Sequence, residues 1–132
     1  MEVLAGNLIP IKLAIEELMK QPMPIEAAYR IDRIYQAFQS EWVTFFEYQR
    51  KLLEKHGDRD EEGKLVVIEG HVRISDRKEF DIEFNRLASQ SVSVTIDSIP
   101  MEALGKEIKI SPNNLHFLHG IIDMPEDTDG TR

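Results

Sequence analysis

Residues 24–57 read PIEAAYRIDRIYQAFQSEWVTFFEYQRKLLEKHG, and this stretch decides the fold. After Pro24 it carries no Gly or Pro until Gly57, so nothing in it breaks a helix. Ala28, Ile31, Tyr35, Phe38, Trp42, Phe45, Gln49 and Leu52 follow one another in alternating steps of three and four. That is the a/d register of a heptad, and it assigns these residues to one helix face. Ile34, Phe46 and Leu53 widen the face beyond a narrow seam. Glu26/Arg30, Glu47/Lys51 and Arg50/Glu54 stand four apart, as ion pairs on a helix surface do. One helix of about 33 residues is expected over Pro24–His56, its stripe from Ala28 to Leu52 running about 36 Å.

Working outward, Asn7 and Pro10 read as a cap and a first-turn proline of an earlier helix. Ile11, Ile15, Leu18 and Met19 share one face of it, and Glu16, Glu17 and Lys20 the other. Pro22 and Pro24 end it. At roughly eleven residues, about 17 Å, it is too short to cover the long stripe alone. Downstream, Gly57–Lys64 (GDRDEEGK) is a turn, and Leu65–Ile74 is extended with a bulge or bend at Gly70. Asp76 and Glu79 have capping-box spacing before a helix carrying Phe80, Phe84, Leu87 and Ala88 inward. Ser91–Ile96 alternates strictly, as a half-buried strand does. Pro100–Leu104 is a helical turn closed by Gly105, and Lys106–Ile110 a short strand. Ser111-Pro112 opens a last helix through Leu115, Leu118, Ile121 and Ile122.

The expected fold is α+β and mainly helical: a long helix in a helical hairpin plus a small two- or three-stranded sheet. A single domain is assigned to residues 1–122, with a helical part over 7–57 and a small α+β part over 64–122. Residues 123–132 are read as a disordered acidic tail, on their polar composition.

The 132 residues include 16 Lys+Arg and 24 Asp+Glu, so the formal net charge is 16 − 24 = −8. Such a surplus argues against direct binding to nucleic acid, which needs a cationic face. The absence of Cys excludes disulfides, thiolate metal sites and a thiol nucleophile. No apolar run approaches the ~20 residues of a membrane span, and the N-terminus has no basic-then-apolar leader, so no membrane association is expected.

Chemistry is harder to find. Residues 58–69, DRDEEGKLVVIE, have the outline of a calcium-binding EF-hand loop. Acidic residues stand at loop positions one, three and five, Gly at six and Glu at twelve. Against it, Val67 offers no oxygen at position nine, and Val66-Val67-Ile68 reads as strand where an exiting helix belongs. A helix-to-strand turn explains the same letters, and calcium binding is kept as the weaker alternative. His116 and His119 lie a helical turn apart but lack a third ligand, and Ser89, Ser91 and Ser93 have no nucleophile-elbow context. No catalytic residue, metal ligand or cofactor is assigned.

Two readings fit the aromatic stripe. Other elements of the same chain cover it, or it recruits a second copy or a partner helix. Tyr35, Phe38, Trp42 and Phe45 are bulky for a two-stranded coiled coil but suit a broad core or an interface hot spot. Ile31, Tyr35, Phe38, Trp42 and Phe45 are therefore the expected partner-binding residues.

The order of elements carries a resemblance. A short helix precedes the long one, RIDRIYQAFQSEWVTFFEYQRKLLEKHG; the acidic turn DRDEEGK, then DRKEFDIEFNRLASQSVSVTI and ISPNNLHFLHGII follow. Over Ile9–Ile122 this resembles uncharacterised small proteins of tailed bacteriophages and prophages. The resemblance transfers no site residue. It implies a phage-encoded protein of the host cell cytoplasm or the virion. The expected function is a non-enzymatic protein–protein interaction module in assembly, self-associating through the long helix. The alternative is a small acidic effector that inhibits a host protein, by mimicking nucleic acid, with Asp58, Asp60, Glu61, Glu62 and the tail as its charges.

Overall fold

In the computed structural model, which describes residues 1–124, Pro24 divides two antiparallel helices, α1 (Leu8–Met19) and α2 (Ile25–His56). Its fixed φ of −55° with ψ 145° keeps it out of the helix, while its carbonyl accepts from the Ala28 amide at 3.0 Å. The 32 residues of α2 then run unbroken to Gly57. There a side chain has no room, because a Cβ would stand 2.5 Å from the Leu53 carbonyl and 2.7 Å from Val72. α1 begins at Leu8, so Pro10 falls within its first turn, where its absent N–H is harmless; the Asn7 side chain makes no capping bond. Leu8, Ile11, Ala14, Ile15 and Leu18 form its buried face. Met19, expected there, is 41% exposed.

The second half holds α3 (Arg77–Ala88) and α4 (Pro112–Phe117). The Asp76 carboxylate accepts from Lys78 N at 3.3 Å rather than from the third helical amide of a capping box. Ser111 Oγ caps α4 by accepting from Asn114 N at 3.2 Å. Among the described residues six short strands occur in chain order: β1 (Glu2–Leu4), β2 (Val67–Ile68), β3 (His71–Val72), β4 (Ser91–Ser93), β5 (Ile99–Pro100) and β6 (Ile122–Asp123). They form three separate pairs, β1–β4 and β2–β3 antiparallel and β5–β6 parallel. The fold is thus mainly helical α+β, with its strands distributed as ladders.

Several local expectations change. Leu65–Ile74 is a hairpin rather than one strand. Glu69 and Gly70 both take positive φ, 52° and 82°, and turn it back, as a two-residue hairpin loop requires. Lys106–Ile110 forms no ladder, because the Gln21 side-chain amide takes both backbone groups of Lys109, each at 2.7 Å. α4 stops at Phe117; Gly120, at φ 85°, then redirects the chain so that Ile122 and Asp123 pair with β5. Asp123 is therefore strand and Met124 packs half-buried against the core, and residues 125–132 of the expected tail lie outside the described residues.

The core lies where α1 crosses α2. It is closed from below by Val94, Ile99, Leu104, Leu118, Ile121 and Ile122 from the α+β half. Beyond the reach of α1, α3 continues the cover, with Phe84 against Phe45 and Phe80 beside His56. Among the described residues no helix is long and apolar enough to cross a membrane.

Candidate functional site

The five expected partner anchors lie inside the chain's own packing. Ile31, Phe38, Trp42 and Phe45 are 0–4% exposed, and Tyr35 is half-buried. As placed here they are not surface anchors. The heptad register identified the apolar face correctly, but α1, α3 and the segment after Val94 jointly supply the length that α1 lacks. Trp42 sits at the centre. Phe38 stacks on it at 5.5 Å, Tyr35 meets it edge-on at 4.7 Å, and the Lys12 ammonium stands 5.9 Å over its ring. Among the described residues its indole N–H has no hydrogen-bond partner.

What α2 shows to solvent is a different set. Ile25 is 82% exposed, Tyr29 62%, Val43 59%, Tyr48 50% and Phe46 45%. At 3.6 residues per turn, Ile25, Tyr29 and Val43 fall within about 40° of one another, with Phe46 about 60° to one side. The sequence signal for them is that the apolar residues of α2 exceed what one face can hold. Of these only Phe46 stands out in the sequence pattern, where it reads as part of the inner face.

The acidic turn is organised around its own backbone. Asp60 Oδ1 accepts from the amides of Glu62 and Lys64 at 2.9 and 3.0 Å, a tight turn closed by its own side chain. Asp58 accepts from Arg73 Nε at 2.6 Å, Ser75 Oγ at 2.5 Å and Ser75 N at 3.1 Å. These donors, led by the Ser75 hydroxyl and then Arg73, pull its carboxyl down to about 2. The chain leaves this turn as the β2–β3 hairpin, not as a helix. Glu69 is at the hairpin tip, three residues past the Asp58–Val66 pairing, or about 10 Å along a strand. The EF-hand outline is therefore not realised in this geometry. Among the described residues no three His, Asp or Glu side chains gather as a metal site.

One further charged cluster joins α2 to α3. Glu83 Oε1 accepts from Lys55 Nζ at 2.6 Å and lies 3.2 Å from His56 Nε2, and Lys55 foremost holds the Glu83 carboxyl below its usual range. His56 packs edge-on against Phe80, which makes the cluster a helix-to-helix tie.

No protein-family model, curated protein or solved structure matches the chain.

Proposed function

We propose that this chain is a non-enzymatic protein–protein interaction module that self-associates through the outer face of α2. The reading is carried by the exposure of Ile25, Tyr29, Val43 and Phe46 on a helix whose opposite face the chain already covers. Single exposed apolar residues are ordinary, but two pairs of large ones on one side of a long helix, Ile25 with Tyr29 and Val43 with Phe46, suit a helix-on-helix contact. Antiparallel contact of two copies across a twofold axis would set the Ile25–Tyr29 pair of one against the Val43–Phe46 pair of the other. The phage setting, and a place in the host cytoplasm or virion as an assembly component, belong to the same proposal. They are supported by the resemblance in element order.

Light scattering on the full chain across a wide dilution series tests the reading. A mass above the 15.3 kDa of one chain, falling on dilution, is expected. Val43→Glu should hold the chain at one copy and, at dilutions where the parent is also a monomer, melt at the same temperature. A mass of 15.3 kDa at every concentration would overturn self-association and turn attention to a host partner for the acidic surface.

A further inference from the structure

Arg30 and Arg33 lie on neighbouring turns of α2 and border a groove of about 340 Å³ between that helix and residues Thr95–Asp97. Arg30 does not take Glu26, its neighbour four residues back. Its Nη2 donates instead to the Ser98 carbonyl at 2.8 Å, which fixes the guanidinium against the loop. Arg33 stands 5.9 Å over the Tyr29 ring. Among the described residues neither guanidinium has a carboxylate within ion-pairing distance, a state shared by Arg59 and Arg86, whereas Arg50, Arg73 and Arg77 each hold one. Arg30 and Arg33 are set apart by bordering the same groove, in a chain of net charge −8.

The groove's own charge narrows the ligand. Arg30 and Arg33 against Asp97 leave +2 − 1 = +1, which one carboxylate neutralises. A phosphate dianion or a nucleic-acid strand would add negative charge beyond that balance. Ile34, Ala37 and Ile96 supply an apolar wall for the aliphatic part of a side chain, and guanidinium forks match a carboxylate geometrically.

We infer that this groove binds an acidic side chain of an extended segment of a partner protein. The inference rests on reading the chain as an interaction module and adds the chemistry of what it grips.

The test is an NMR titration of the isotope-labelled full chain with a capped peptide carrying one Glu. The arginine Nε–Hε signals and the amides of Thr95–Asp97 are followed. Saturable shifts confined to this groove are expected, weakened about tenfold or more by Arg33→Gln and partly restored by Arg33→Lys. Arg33 is exposed and makes no hydrogen bond or ion pair among the described residues, so both variants should keep the native melt. Equal binding of the Gln version of the peptide would overturn the charge argument, and tighter binding of inorganic phosphate would overturn the carboxylate assignment. Saturable binding that emerges only when Glu126, Asp127 and Asp129 are changed to their amides would make the chain's own tail the occupant and overturn the partner. No saturable shift in either form would overturn the site altogether. These signals are independent of mass, so a monomer that binds the Glu peptide keeps the groove while losing the self-association reading.

Discussion

The Tyr35 hydroxyl donates to Glu16 Oε2 at 2.7 Å, across the crossing of α1 and α2. Lys12 Nζ reaches the same oxygen at 2.6 Å, so one carboxylate gathers a phenol and an ammonium above the Trp42 ring. Lys12 first, and then Tyr35, hold the Glu16 carboxyl below its usual range, and Glu16 in turn raises the Tyr35 phenol. The group is half-buried, so water screens it only in part, and it fixes how the short helix lies on the long one.

Tyr35→Phe keeps the ring and removes this bond. It is expected to cost about 1 kcal/mol in urea unfolding, the usual net worth of one hydrogen bond. Glu16→Gln in the Tyr35→Phe background should then add less than it does alone. Additive costs would mean that the hydroxyl and carboxylate do not act together.

Trp42 separates two contributions that a core aromatic combines. Trp42→Ala leaves a large cavity and is expected to cost ~3–5 kcal/mol. Trp42→Phe also removes an indole N–H that is buried without a partner among the described residues, a group whose burial costs about 1–3 kcal/mol. The lost volume is thereby offset, and the melting temperature of Trp42→Phe should stay close to that of the parent chain. A Trp42→Phe melt as low as that of Trp42→Ala would show that the N–H carries no penalty.

Asp58 gives the hairpin a pH dependence. Its carboxyl is lowered to about 2 by Ser75 and Arg73, so its contribution is full above the ordinary carboxylate value of 3.8. It is lost as the pH falls from there through about 2. Protection of the Ser75 amide, its exchange rate by NMR relative to that of an unstructured chain at the same pH, should fall across that window. In Asp58→Asn the same loss of protection should be absent. A parent chain whose Ser75 amide is equally protected at both ends would refute the role given to Asp58.

Glu69 occupies the first position of a two-residue hairpin turn at φ 52°, where Asn is far better suited. Glu69→Asn should raise stability by a few tenths of a kcal/mol to about 1 kcal/mol, detectable as a higher urea midpoint with an unchanged slope. Glu69→Val should lower it, since a β-branched residue resists that conformation.

The long helix was legible because a 3-4 spacing records which face is apolar. The same spacing is silent on what covers that face, so Ile31, Phe38, Trp42 and Phe45 could be read equally as core or as interface. β1 was missed because three residues do not make a period. The hairpin at Glu69-Gly70 was hidden by a residue pair that departs from the usual Asn-Gly or Asp-Gly. Lys106–Ile110 has strand composition, yet Gln21, 88 residues from Lys109 in sequence, claims its backbone. The Arg30–Arg33 groove depends in the same way on Ser98, 68 residues from Arg30, and no local pattern announces it.

The pairing of β1 with β4 sets an order of events during synthesis. Met1 donates its amino group to the Val94 carbonyl at 2.9 Å, and Glu2 pairs with Ser93. The α1–α2 hairpin needs only contacts between near neighbours and can form early, while β1 waits, its edge unpaired, until residues 91–93 have been made. Closing so long a loop is slow relative to helix pairing. β1, made before the two helices, is thus among the last elements to find its place, and a nascent chain halted before Ser91 would carry a complete helical hairpin with β1 still open.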